Sequence, residues 1–201
     1  MNIFFSPFMA LAFALIITPA IIPLLTRLKF GQSIREIGPS WHSKKSGTPT
    51  MGGVAIIAAV LFPVMLFYKE IDYSFLLALI CTLGFGTVGF IDDFIKVCLK
   101  RNLGLLAWQK LALQLLVAVF FVFAGLQTGV LSTSVILPFV NILIDISWFY
   151  IPFAILFILF VVNSVNLTDG IDGLAASVTI VVMLYFRSEE RRVGKECRSR
   201  W

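Results

Sequence analysis

Charge is what this chain of 201 residues has least of: only 13% of it is Asp, Glu, Lys or Arg, against 59% hydrophobic residues and a mean hydropathy of +0.98. Soluble domains carry about 25% charged residues, so a soluble globular class is excluded and an integral membrane protein remains. Histidine occurs once, at His42, too little for a histidine metal cluster, and the ring is given a local role in its loop. The three cysteines are Cys81 in an apolar run, Cys98 in a basic loop and Cys197 in a charged tail. They lack paired or metal-ligand spacing, so neither a disulfide framework nor a zinc site is indicated. A net charge of +5 invites an acidic partner, but ten basic and eight acidic residues precede Arg187, leaving the apolar body a surplus of only two. No nucleic-acid partner is expected.

What is present is apolar sequence in span-sized pieces, near 4–25, 51–68, 74–91, 108–131 and 148–165. Each approaches the roughly 20 residues that cross a bilayer as a helix. A sixth run starts after Gly173 and stops at Phe186, too short to cross alone. The expected fold is an all-α polytopic membrane helical bundle of five transmembrane helices plus a truncated sixth. The first segment has neither a basic n-region nor a small-residue cleavage site and reads as a retained helix.

Basic residues sort the loops. Arg27, Lys29, Arg35, Lys44 and Lys45 lie between the first two spans, and Lys96, Lys100, Arg101 and Lys110 between the third and fourth, whereas the opposite loops hold Lys69 alone. By the positive-inside rule those two loops face the cytoplasm and the N-terminus faces outward.

Three polar constellations then share the cytoplasmic face. Lys45–Gly53 places Gly47, Pro49, Gly52 and Gly53 at the entrance to the second span, where a tight turn can bring backbone donors near an anion; an ordinary loop-to-helix junction has the same composition. Asp92 and Asp93, followed by Lys96 and by Lys110 to Gln114, lie at the end of the third span and the start of the fourth. Adjacent carboxylates on a helix point about 100° apart, so one can meet a hard cation while the other holds a lysine. Lys96 reaches either acid, and the plainer reading is an interfacial ion pair. Asn163, Asn166, Asp169 and Asp172 recur every three residues, a spacing that fans them across half a turn of a straight helix. Gly170 and Gly173 predict a helix break near Asp169, which would let the acids and the Asn163 amide line one cavity. A polar connector with Asn166 or Thr168 as a cap explains one of these residues, not four.

Carboxylates for a divalent cation, lysines for phosphates and a cytoplasm-facing membrane site point to phosphoryl transfer between a charged soluble substrate and a lipid phosphate. GTPTMGG at 47–53, GFIDDFIK at 89–96, KLALQ at 110–114 and NSVNLTDGIDGLA at 163–175 resemble the signatures of the polyprenyl-phosphate N-acetylhexosamine-1-phosphate transferase superfamily. The context Gly31-Gln32, Ile34-Arg35, Gly38-Pro39 and His42 is similar to the bacterial branch that handles phospho-N-acetylmuramoyl-pentapeptide, and less to the GlcNAc-phosphate branch. The similarity runs over about residues 1–186.

That resemblance implies transfer of phospho-MurNAc-pentapeptide from UDP-MurNAc-pentapeptide to undecaprenyl phosphate, releasing UMP and forming lipid I for peptidoglycan, at the bacterial cytoplasmic membrane. It implies Mg²⁺, with Asp92 and Asp93 nearest the metal and lipid phosphate and Asp169 as a third catalytic carboxylate. Lys45, Lys96 and Lys110 are implied as substrate or phosphate ligands, and Asn163, Asn166, Asp169 and Asp172 as the uridine and sugar-pyrophosphate side of the cleft. No base is assigned, because a lipid phosphate is already largely ionised near neutrality. Homodimerisation is a family-level expectation. The resemblance also implies a histidine cluster and a further metal-binding aspartate in a later cytoplasmic loop, which residues 1–201 do not contain.

Residues 187–201, RSEERRVGKECRSRW, carry nine charges in fifteen positions directly after the half-length apolar run. At mid-membrane each would cost roughly 2.5–3.5 kcal/mol. The segment resembles the conceptual translation of a sequencing adapter, so two parts are expected: 1–186, the N-terminal part of a membrane transferase domain inactive alone, and 187–201, a non-native tail. The rival functions are a sister transferase using UDP-GlcNAc and, from another class, an ion-coupled transporter or non-catalytic bundle. The two halves of the chain show no internal repeat that would favour the transporter.

Overall fold

The computed structural model describes residues 5–27, 51–67, 71–98, 104–136, 142–170 and 173–199, with the side chains of the last stretch described through residue 188. Six α-helices follow in order: α1 (Ser6–Arg27), α2 (Gly53–Phe67), α3 (Tyr73–Cys98), α4 (Ala107–Gln127), α5 (Tyr150–Thr168) and α6 (Leu174–Ser199). Four helical segments, within 6–26, 73–98, 107–127 and 147–168, are long and apolar enough to cross a membrane. With their large apolar side chains mostly exposed, as lipid-facing residues are, this is a multi-pass membrane protein. The second expected span, 51–68, forms the 15-residue α2, about 22 Å long, which is shorter than a full crossing.

Residues up to Ile155 and from Leu156 onward form two compact units. In the first, α1 packs on α2, α2 on α3 and α3 on α4. Helices in lipid gain no hydrophobic drive from meeting, so close backbone approach and van der Waals contact must hold them. The buried residues of α2 are Ala55, Ala59 and Pro63, one four-residue stripe of small side chains. Phe13 of α1 stacks on Phe62 of α2 with ring centroids 4.4 Å apart. On α4 the buried stripe is Gln114, Ala118, Val122 and Gly125; on α3 it is Leu77, Val88 and Asp92. Gly84 shares the α3 stripe, and a Cβ there would lie 2.8 Å from Val117 Cγ1 of α4.

Three features depart from the expected fold. The segment after α4 is not loop alone: β1 (Ser134–Ile136) pairs antiparallel with β2 (Leu143–Asp145), and Val135 faces Ile144. The β-branched Val135, Ile136 and Ile144 favour this local ladder, while the other described elements are helical. The second departure is at the polar turn before α2, where the left-handed backbone falls on Met51, φ 71°, rather than on Gly52 or Gly53. The third is α6. Its apolar run ends at Phe186, yet the helix continues to Ser199, because Glu, Arg and Lys are good helix formers.

Asp145 fastens the hairpin. Its Oδ1 accepts from the Thr133 hydroxyl at 2.7 Å and from the Ser147 N–H at 2.9 Å, just before a 3₁₀ turn, Ser147–Phe149, leads into α5. These donors, the Thr133 hydroxyl first, hold the carboxyl below its ordinary range. A carboxylate with a depressed folded pKa stabilises above its unfolded value, near about pH 4, and loses that contribution as pH falls through the lower folded value. Amide exchange in 133–147 is therefore expected to quicken in that acidic window, and Asp145→Asn to remove the pH dependence. A wild-type hairpin indifferent to acid would contradict this.

Helix packing makes a graded prediction. Gly84→Ala forces the stiff, β-branched Val117 and is expected to destabilise the detergent-solubilised protein by about 1–3 kcal/mol. Gly86→Ala meets only the far end of Ile57, at 2.7 Å from Cδ1, and should cost less; Gly89→Ala meets nothing and should cost nothing. Thermal unfolding of the three variants checks the order.

Candidate active site

The apolar part of α3, residues 74–91, is about 27 Å long, so the turn that follows reaches the edge of the hydrocarbon. Asp92 continues the buried stripe one turn beyond Val88 and is only 7% exposed. Asp93, about 100° further round, is half-buried. The pair is thus divided by helical geometry, as the adjacent-carboxylate spacing predicts.

Asp92 is saturated with donors. Its Oδ2 faces Lys96 Nζ at 2.7 Å and Lys110 Nζ of α4 at 3.7 Å, while its Oδ1 accepts the Leu105 N–H at 2.9 Å. Lys96 also reaches Asp93 Oδ1 at 3.1 Å, so it spans both acids as its i+3 and i+4 spacing allows. The start of α4 is set by the Leu106 N–H donating to Gln109 Oε1 at 3.1 Å and the Lys110 N–H donating to the Leu106 carbonyl at 3.0 Å. Gln114, one turn beyond Lys110 on the same face, is 2% exposed. Two lysines, two carboxylates and a buried amide thereby line the joint between the end of α3 and the start of α4. The cluster is formally neutral, with cations placed to receive anionic oxygen.

Two partners of this cluster escaped the sequence reading. Leu105 acts through its backbone, which no side-chain motif reports, and Gly104 packs directly against Asp92. The one available signal was a glycine three residues before a helix whose first turn bears a motif lysine.

In the second unit, α5 ends at Thr168, a turn occupies Asp169 and Gly170, and Gly173 takes φ 83° before α6. The predicted break at Asp169 is present. Asn166 and Asp169 are exposed and Asn163 is half-buried. The Asn163 amide donates to the Leu159 carbonyl of its own helix at 2.8 Å, so that donor serves α5 rather than a cavity. Lys45, Asp172 and His42 lie outside the described residues.

Removing Asp92 takes the acceptor from the Leu105 N–H and a carboxylate from both Lys96 and Lys110, whereas removing Asp93 releases one contact of a lysine that keeps Asp92. Asp92→Ala is accordingly expected to lower stability by about 1–3 kcal/mol. Asp93→Ala should cost less than about 1 kcal/mol. Thermal unfolding in detergent separates them, and equal losses would contradict the asymmetry.

Comparison with known proteins meets the same residues. The model for glycosyl transferase family 4 matches residues 75–188, a stretch that holds the Asp92 cluster and the Asn163–Asp172 segment. Residues 45–57 match the phospho-N-acetylmuramoyl-pentapeptide-transferase signature 1. The chain is 51% identical over 172 residues to the phospho-N-acetylmuramoyl-pentapeptide-transferase of Caldicellulosiruptor bescii, which covers 85% of this chain and 52% of that protein. The protein of the same name from Halalkalibacterium halodurans is 52% identical over 168 residues, covering 80% of the chain and 50% of the relative. That of Clostridioides difficile is 41% identical over 182 residues, covering 90% and 56%. The chain spans about half the length of these curated relatives. With its α3–α4 cluster and more than half of its residues inside the family match, the chain belongs to glycosyl transferase family 4.

Proposed function

We propose that the protein carrying this chain transfers phospho-MurNAc-pentapeptide from UDP-MurNAc-pentapeptide to undecaprenyl phosphate, releasing UMP and forming lipid I in peptidoglycan synthesis. The observation that carries the reading is the pairing of Lys96 and Lys110 across one buried carboxylate at the end of a membrane span. A lipid phosphate anchored in the bilayer reaches that depth, and a soluble nucleotide approaches it from the water. The signature at 45–57 and relatives sharing 41–52% of their aligned residues support the MurNAc-pentapeptide branch over the GlcNAc branch.

The chemistry needed is positioning and charge stabilisation more than covalent work. The attacking oxygen belongs to the lipid phosphate and the leaving group is UMP, so negative charge grows on the nucleotide's phosphate as the bond to it breaks. Lys96 and Lys110 are the cations suited to that charge, and Asp92 keeps them from swinging into water. Since the cluster is itself neutral, it does not offset a diphosphate and a lipid phosphate together.

Mg²⁺ would fit this donor set as an ion shared between a protein carboxylate and substrate phosphate rather than a caged one. It is usually held by one or two carboxylates plus substrate phosphates, and Asp93, half-buried and engaged through Oδ1 alone, is the better-suited acid; both oxygens of Asp92 are already occupied. When bound, the ion would neutralise pyrophosphate charge. The same reading gives Lys45, Asn163, Asn166, Asp169 and Asp172 to substrate binding. It sets the site on the cytoplasmic side of the bacterial inner membrane with the N-terminus outside, supported by nine of the ten Lys and Arg residues before Arg187 lying at or between the ends of α1 and α2 and of α3 and α4. It also leaves 187–201 outside the catalytic part.

In membranes containing the full-length enzyme and undecaprenyl phosphate, UMP release should depend on Mg²⁺ and on UDP-MurNAc-pentapeptide. Asp92→Asn, Asp93→Asn and Asp169→Asn should each lower it by about 10²-fold or more. Consumption of UDP-GlcNAc instead would favour the sister reaction. Full activity in all three variants, or ion flux without UMP release, would remove the assignment.

A further inference from the structure

Gly104 stands apart from the other described glycines in what surrounds it. A Cβ at Gly84, Gly86 or Gly125 would meet the apolar side chains of Val117, Ile57 and Leu131. At Gly104 it would contact Asp92 Oδ1, lie 2.6 Å from the Asp92 carbonyl oxygen and 2.9 Å from Lys96 Cε. All three atoms belong to the charged cluster. The next residue, Leu105, donates its N–H to Asp92 Oδ1 at 2.9 Å, and Lys110, one turn into α4, faces Asp92 Oδ2. One short segment, 104–110, therefore grips both oxygens of a single carboxylate, one by a backbone donor and one by a cation.

We propose that Gly104 and the Leu105 N–H form a backbone clasp that fixes the orientation of Asp92, and through it the placement of Lys96 and Lys110 about the transferred phosphate. The clasp needs glycine because the obstacle is main chain: the Asp92 carbonyl is held in α3 and cannot give way as a side-chain tip can. Any β-carbon lifts residues 104–105 off α3 and breaks the Leu105 hydrogen bond. Asp92 Oδ1 then loses the Leu105 N–H, the carboxylate turns freely, and the two lysines lose a common anchor. Gly104 and Leu105 are thus positioning residues, acting through Asp92. The catalytic consequence rests on the phosphoryl-transfer reading above, whereas the clasp itself does not.

The test uses wild type, Gly104→Ala and Asp92→Ala in the full-length enzyme, with hydrogen exchange at the Leu105 amide, steady-state UMP release and thermal unfolding in detergent. In Gly104→Ala the Leu105 amide should exchange at least about tenfold faster, because its protection is that one hydrogen bond. Its kcat should fall by about tenfold or more with KM for UDP-MurNAc-pentapeptide changed less than about threefold, the pattern of a lost transition-state interaction. Its midpoint should shift less than that of Gly84→Ala, which disturbs helix packing and leaves Leu105 protected. Wild-type kcat in Gly104→Ala, or lost activity with Leu105 still protected, overturns the proposal. Should Gly104→Ala fail to accumulate, Asp92→Ala decides: faster exchange at Leu105 supports the clasp, and unchanged exchange overturns it. An inactive wild type would remove the functional reading, while the exchange comparison would still settle the clasp.

Discussion

A carboxylate at the edge of the hydrocarbon cannot be left without partners, and the Asp92 side chain is where that constraint is met in this molecule. Its partners come from two places in the chain: Lys96 one turn along the same helix, and Leu105 and Lys110 from the segment entering α4. Hydrocarbon offers no water to share the load, so desolvation makes each of these contacts necessary. The geometry of the α3–α4 joint follows, and the apolar stripes above it are arranged to permit it. Leu77, Gly84 and Val88 lead down α3 to Asp92, and Val122, Ala118 and Gln114 lead down α4 to Lys110.

The same contacts let a structural ion pair serve as the proposed catalytic site. A pair sealed among apolar side chains would add little to stability, since the cost of removing charges from water offsets most of their attraction. Here Lys96 and Lys110 remain 35% and 20% exposed at the side chain, so each ammonium can present its other donors to an incoming anion while Asp92 faces one side of it. On the proposed function, a neutral cluster with cations on its open side would take a phosphate oxygen and leave the charge of a second phosphate to a divalent ion. The family match, which runs through both α3 and α4, agrees with that chemistry.

Much of this was legible beforehand because helical periodicity is a strong constraint. The division of labour between Asp92 and Asp93 follows from 100° per residue, the reach of Lys96 from its i+3 and i+4 spacing, and the break at Asp169 from Gly170 and Gly173. What stayed hidden was carried by backbone or by local competition. The Leu105 N–H is common to every residue type but proline, so no pattern marks it as a ligand. Met51 takes a left-handed φ beside two glycines that would have borne it with less strain. The hairpin at 134–145 is only three residues per strand, too short for an alternation signal. Asn163 shows the reverse difficulty: a polar residue in an apolar helix invites a cavity, yet its amide donates to the carbonyl one turn back.

The central claim is that the Asp92-anchored lysines receive the phosphate whose bond is broken. An experimental structure of the full-length enzyme with Mg²⁺ and a UDP-sugar substrate analogue tests it most directly. The account predicts a pyrophosphate oxygen within hydrogen-bond reach, about 2.7–3.2 Å, of Lys96 or Lys110 Nζ, with Leu105 still donating to Asp92. A pyrophosphate held elsewhere, with the Asp92 cluster closed on itself as it is here, would contradict it.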